Sequence, residues 1–240
     1  MRDSEAILEV SNLSVFYGEA QILYDIEMSI GKKNRVVALL GRNGSGKTTL
    51  LRSIAGVIRP TRGKISFLGQ DITLMPAWKR ALLGLKYIPP DKRVFTSLTV
   101  YENLRVAAYG LLRTSNSTIV DKEIEKVLEI FPRLRKLLNN KALYLSGGER
   151  QMLNLAMSMM GPTKLLMLDE PTEGLAPALV QFFSELLDKI RTDFPIFLIE
   201  QNLPIIRRLA DSLYLMKEGR IIYHTDDINT IRGGEYMKLL

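Results

Sequence analysis

The stretch Arg35-Val-Val-Ala-Leu-Leu-Gly-Arg-Asn-Gly-Ser-Gly-Lys-Thr-Thr49 decides how the rest of this chain is read. Arg35–Leu40 is an apolar run without polar alternation, the pattern of a strand covered on both faces. Gly41-Arg42-Asn43-Gly44-Ser45-Gly46-Lys47-Thr48 follows it and matches G-x-x-x-x-G-K-[ST]. Lys47–Val57 then reads as a helix. Glycines in a strand-to-helix turn let backbone N–H groups face inward around an anion, and the helix N-terminus adds partial positive charge. Lys47 is expected to reach β- and γ-phosphate oxygens. Thr48, with Thr49 beside it, is expected to offer a hydroxyl to Mg2+.

Two further segments complete a phosphate chemistry. Leu165-Leu-Met-Leu-Asp-Glu170 is a second buried strand that delivers two carboxylates at its C-terminal end, where α/β sheets place ligands. Asp169 suits a Mg2+ site, and Glu170 suits the polarisation of an attacking water. Leu145-Ser-Gly-Gly-Glu149 carries a capping box from Ser146 to Glu149 that opens a helix over 149–160. The cap accounts for Ser146 and Glu149 but not for Gly147 and Gly148. Unobstructed N–H groups at a helix start make a second anion site.

Outward from these motifs, short β-type runs alternate with helical ones. Ile7–Val10, Ser14–Tyr17, Ile22–Tyr24 and Ile26–Ile30 read as four short strands of an antiparallel edge sheet, with turns at Tyr17-Gly18 and Gly31. Later strands are expected at Lys64–Phe67, Leu85–Ile88, Leu165–Leu168, Ile196–Ile199, Ser212–Met216 and Arg220–Tyr223. Residues 98–160 lack a strand pattern. There Ile124, Val127, Leu128 and Phe131 form one helix face, with Asp121, Lys122, Glu123, Glu125 and Lys126 opposite.

Composition narrows the chemistry. The 240 residues contain no cysteine and a single histidine, His224, so thiolate chemistry, disulfides and multi-histidine metal sites are excluded. His224 reads as a surface residue. The longest apolar run, Val36–Leu40, falls far short of the ~20 residues that span a bilayer. Met1-Arg2-Asp3-Ser4-Glu5 has no signal-peptide character, so a cytoplasmic setting is expected. Lysine and arginine number 33 against 26 acidic residues, a net charge of +7. The densest basic patches, Arg133-Leu-Arg-Lys136 and Arg207-Arg208, are too short for a nucleic-acid arm, and no nucleic-acid partner is expected.

The three motifs in this order resemble the ATP-binding subunits of ABC transporters, over essentially the whole chain. The resemblance implies an α/β P-loop NTPase core with an antiparallel β subdomain and an inserted helical lobe. A single ATP-binding domain would cover 1–240, with 1–97 and 161–240 as core and 98–160 as the signature lobe. It implies ATP and Mg2+ as ligands, with Gly41–Thr49 on the phosphates and Tyr17 stacked on adenine. Glu170, Lys47 and Gln201 would be catalytic. Ser146, Gly147, Gly148 and Glu149 would act in trans on the ATP of a second ATPase subunit, the same or a different chain. Transmembrane permease subunits would meet the lobe near Pro90–Leu98 and Tyr101, placing the protein on the cytoplasmic face of the membrane.

Three positions depart from the common family pattern. Pro90 stands where a glutamine usually contacts the Mg2+ site, Gln201 where a histidine usually senses the γ-phosphate, and Ala176 where an aspartate usually faces the other subunit. Glu173-Gly-Leu-Ala-Pro177, Ile199-Glu-Gln-Asn202 and Val94-Phe-x-x-Leu-Thr-Val100 resemble the shorter ATPase of bacterial branched-chain amino acid importers, in which Gln201 and Ala176 are not defects. The rival readings are the ATPase of a lipopolysaccharide-type exporter, which normally keeps the histidine, and a soluble ABC-type ATPase on ribosomes or DNA. The stretch between Lys47 and Leu145 is too short for the coiled-coil insertion of the DNA-repair relatives. A third rival, a subunit that binds ATP without hydrolysing it, draws on Pro90 and Gln201.

Overall fold

The computed structural model describes residues 6–90 and 94–240. The opening pentapeptide and Asp91–Arg93, within the expected permease-facing segment, lie outside the described residues. The chain runs β1 (Ala6–Tyr17), β2 (Ala20–Gly31), β3 (Val36–Leu40), α1 (Lys47–Ile54), β4 (Arg62–Phe67), β5 (Gln70–Asp71), α2 (Ala77–Leu82) and β6 (Leu85–Ile88). The helices α3 (Val100–Leu112), α4 (Ser117–Ile130), α5 (Pro132–Arg135) and α6 (Gly147–Ser158) follow. It closes with β7 (Leu165–Asp169), α7 (Pro177–Ile190), β8 (Ile196–Ile199), α8 (Leu203–Leu209), β9 (Ser212–Lys217), β10 (Arg220–Thr225) and α9 (Ile228–Gly233).

Two sheets organise these elements. One is antiparallel, ordered β2-β1-β4-β5; the other is ordered β10-β9-β3-β8-β7-β6. In the second sheet β9, β3, β8, β7 and β6 run parallel, and only β10 is antiparallel, on β9. The continuous apolar runs have the expected cause. Leu165 and Met167 pack into the core beneath the antiparallel sheet, while Leu166 and Leu168 pack into the core shared with the helical lobe. Phe197 with Ile199, and Ile196 with Leu198, divide in the same way. A strand buried on both faces cannot alternate polar and apolar residues.

The four short edge strands are in fact two long ones. β1 and β2 pair along twelve residues each, with register shifts between Val10 and Leu13 and between Leu13 and Val15. Asn12 and Asp25 take positive φ, 51° and 47°, at these irregularities. Bulges absorb the polar interruptions between the short runs, so pairing continues through them. The expected helix Lys47–Val57 stops at Ile54. Gly56 adopts φ 78°, and the Val57 N–H returns to the Arg52 carbonyl, which closes the helix end. The signature helix begins two residues earlier than expected, at Gly147, because Ser146 is itself the N-cap.

The region 98–160 is helical, joined only by an isolated bridge between Thr99 and Lys141. Ile124, Val127, Leu128 and Phe131 are all buried. Their core is continuous with the sheet through Leu166, Leu168, Ile196 and Leu198 and with α7 through Phe183 and Leu187. The lobe therefore docks firmly on the sheet rather than closing a core of its own. Arg80 of α2, fully buried, donates to the carbonyls of Ser53, Ile54, Thr73 and Met75. It thereby ties down the C-terminal end of α1, the helix that follows the phosphate loop.

Candidate active site

The site lies where β3, β8 and β7, adjacent and parallel, end on the same edge. β3 runs into Gly41, β7 ends at Asp169, and β8 between them leads into Gln201. Sheet order thus gathers segments distant in sequence at one end, where a doubly wound sheet opens a crevice.

The loop Gly41–Gly46 is built to approach a ligand closely. Gly44 and Gly46 take φ of 81° and 104°, and a Cβ on Gly46 would come within 2.8 Å of the Leu23 side chain. A Cβ on Gly41 would collide with the Met216 carbonyl. Lys47 folds over the loop, its Nζ donating to the carbonyls of Gly41 at 2.8 Å and Arg42 at 3.2 Å. The loop faces a cleft of about 350 Å³ lined by Asn43–Thr49, Ile22, Glu170 and Glu173. Ser45 Oγ is buried there with no hydrogen-bond partner among the described residues. An unpaired buried hydroxyl inside a glycine cradle fits a phosphate, which would supply the missing acceptor.

Thr48 and Asp169 fit the Mg2+ assignment. Thr48 Oγ1 donates to Asp169 Oδ1 at 3.2 Å. The other oxygen, Oδ2, accepts from the Tyr87 hydroxyl of β6 at 3.2 Å. Burial pushes the Asp169 carboxyl up from its ordinary range, against the two hydroxyls that favour its charged form. Burial and the Asp169 charge push the Tyr87 hydroxyl up to about 12, so Tyr87 remains a donor.

Glu170 takes φ 49°, in the left-handed region that a glutamate rarely occupies, with its N–H fixed to the Ile199 carbonyl at 3.0 Å. Its Oε1 lies 3.4 Å from Lys47 Nζ and accepts from Gln201 Nε2 at 2.7 Å. Gln201 Nε2 also donates to Asn43 Oδ1 at 2.7 Å. The structure therefore brings Lys47, Glu170, Gln201 and Asn43 into one network. Buried Glu200 shapes the turn that carries Gln201: it accepts from the N–H groups of Gln201 and Asn202 and from the Thr172 hydroxyl.

Tyr17, 47% exposed, stands beside the loop with its hydroxyl 3.4 Å from Thr49 Oγ1. Ser146 forms the full capping box with Glu149, which also pairs with Arg133 at 3.2 Å. None of Ser146–Glu149 lines the phosphate cleft of its own chain. Gly148 has a packing reason as well: a Cβ there would meet the Leu179 side chain of α7. His224 is partly exposed, stacked on Tyr214 and remote from the cleft lining. Pro90 brings no side-chain ligand. Tyr87, Arg52 and Glu200 are the residues that motif reading missed, since no motif spacing marks them.

The family model of ABC transporters matches residues 23–173. The chain belongs to the ABC transporter family. ATP binding and hydrolysis that energise a transporter come with that membership. Over 235 residues, 97% of this chain and 98% of the relative, it is 40% identical to a probable branched-chain amino acid transport ATP-binding protein LivF of Archaeoglobus fulgidus. It is 36% identical to the high-affinity branched-chain amino acid transport ATP-binding protein BraG of Pseudomonas aeruginosa, over 91% of this chain and 92% of the relative. The ADP conformation of an ATP-binding cassette of an ABC transporter superposes with a TM-score of 0.84 at 25% identity, covering 98% of both chains. Among the described residues no helix is long and apolar enough to cross a membrane.

Proposed function

We propose that this chain is the ATP-hydrolysing subunit of a branched-chain amino acid importer. The observation that carries the chemistry is the convergence of Lys47, Thr48, Asp169, Glu170 and Gln201 at the ends of three adjacent parallel strands. The likeness to LivF and BraG, together with the Ile199-Glu-Gln-Asn202 and Glu173–Pro177 segments, supports the substrate class.

In this reading the Gly41–Thr49 amides and Lys47 bind the β- and γ-phosphates, and Ser45 Oγ gains its partner. Tyr17 stacks on the adenine. Thr48 and Asp169 would hold Mg2+, which would supply charge neutralisation for the phosphates. A γ-phosphate competes with Glu170 for Lys47 and frees that carboxylate to accept a proton from water. One of the two Gln201 N–H donors turns from Asn43 or Glu170 to the γ-phosphate and holds it in line. Ser146, Gly147, Gly148 and Glu149 serve the ATP of a partner ATPase subunit. Permease subunits meet the lobe near Pro90–Leu98 and Tyr101, beside the groove lined by Pro89, Trp78 and Val57. This sets the chain on the cytoplasmic face of the membrane.

Replacing Glu170 by Gln tests the chemistry: ATP binding is retained and turnover falls by a factor on the order of 10²–10⁴. Unchanged steady-state hydrolysis removes Glu170 from its role. Purification of the tagged chain from native membranes tests the assembly. Two multi-span proteins and a second, different ATPase support the importer. A single kind of membrane subunit favours an exporter.

A further inference from the structure

Tyr87 occupies two places at once. Its hydroxyl donates to Asp169 Oδ2 at 3.2 Å, on the carboxylate assigned to Mg2+. Its side chain also lines a separate groove of about 450 Å³, bounded by α1, α2, β6, α3 and α6. Arg52, one turn beyond Thr48 on α1, lines the same groove as Tyr87. Asp169 is thus gripped by one hydroxyl on each oxygen: Thr48 from the phosphate-loop helix and Tyr87 from the groove floor. The groove itself is open to a ligand. Asn154, 5% exposed, lines it with Nδ2 unpartnered among the described residues, and Trp78 is 57% exposed on its wall. A donor pair in Arg52 and Asn154 beside apolar Val57 and Trp78 calls for an apolar segment that brings an acceptor oxygen.

We infer that Tyr87 is a positioning residue that couples this groove to the Mg2+–ATP site. A segment filling the groove bears on the Tyr87 ring, and the Tyr87 hydroxyl passes any shift to Asp169. Coupling of this kind is reciprocal: whatever loading the nucleotide site does to the groove, filling the groove does to nucleotide affinity by the same factor. The inference rests on the ATP and permease reading above and adds the residue that transmits between them.

Trp78 is the only tryptophan of the chain, so its emission reports the groove alone. The purified chain is titrated with ATP in Mg2+ and with ATP in EDTA, while nucleotide binding is measured separately with radiolabelled ATP. The wild-type chain is expected to change Trp78 emission with Mg2+–ATP and not with ATP in EDTA. Tyr87→Phe keeps the ring and removes the hydroxyl. It should bind ATP within about threefold of wild type, need more Mg2+ for half-saturation, and lose the Trp78 response. Arg52→Met, at a partly exposed site, should weaken the response without changing the melting temperature, so the inference stands or falls even if Tyr87→Phe folds poorly. A full Mg2+-specific response in both variants overturns the coupling. So does wild-type ATP binding with silent Trp78, which leaves the ATPase reading intact. A chain that binds no Mg2+–ATP overturns both.

Discussion

At the residue scale, Gln201 is the most informative departure. An amide can donate and accept, but it does not titrate. It sits between Asn43 and Glu170 at 2.7 Å from each, in contact with the carboxylate proposed as base. Turnover should therefore show no inflection near neutral pH from this position. Gln201→His should introduce one near pH about 6.5, the ordinary histidine range. A kcat profile for that variant that overlays the wild type takes Gln201 out of the reacting network. An inflection already present in wild type, surviving His224→Ala, does the same. Glu170 illustrates a second residue-scale point. The backbone accepts a left-handed glutamate because β7 must end and its side chain turn back toward Lys47 within one residue.

At the element scale, the helical lobe is held to the sheet partly by a lysine in an unusual place. Lys86 of β6 is buried and donates to the Met160 carbonyl just after α6 at 3.1 Å, with Glu123 of α4 as a countercharge. Burial pushes the Lys86 amine down to about 8 from 10.5. Below that value both folded and unfolded chains hold the proton, and the buried charge is a cost. Between the two values the unfolded chain binds a proton that the folded chain lacks, so stability rises with pH, at most by about 1.4 kcal/mol per pH unit. Lys86→Met lacks this rise. Its stability relative to wild type, from urea melts at about pH 7.5 and about pH 9.5, should fall at the higher pH. An equal difference at both would show that Lys86 is not neutralised by burial.

At the scale of the whole molecule, the chain carries two glycine-flanked helix starts, and only one opens on the phosphate cleft. α1 begins under the loop at Lys47, whereas Ser146–Glu149 is absent from that cleft lining. On the proposed reading such a molecule would bind ATP by itself and complete the site by association with a second ATPase subunit. Ser146→Arg should therefore leave ATP affinity in calorimetry unchanged and lower turnover by a factor on the order of 10². A parallel loss of affinity would place Ser146 in its own chain's site. Leu143 and Tyr144, just before the signature serine, are exposed.

By itself the sequence determined the strand–loop–helix at Arg35–Thr49, the acidic end of the strand at Asp169-Glu170, the capped helix after Ser146 and the all-helical stretch 98–160. Each is written in local spacing: glycines where backbone must approach closely, apolar runs where both faces are covered, a period of 3.6 where one face is. Local spacing broke β1 and β2 into shorter runs, because polar residues at a bulge interrupt the apolar pattern and only cross-strand pairing shows that the strand continues. It also could not reach Tyr87, Arg52, Glu200 or Arg80. A tyrosine in a strand becomes a hydrogen-bond donor to Asp169, and an arginine in a helix the cap of another helix, only when the order β3-β8-β7-β6 sets their elements together. Those contacts join residues far apart in the chain, and no periodicity along it records them.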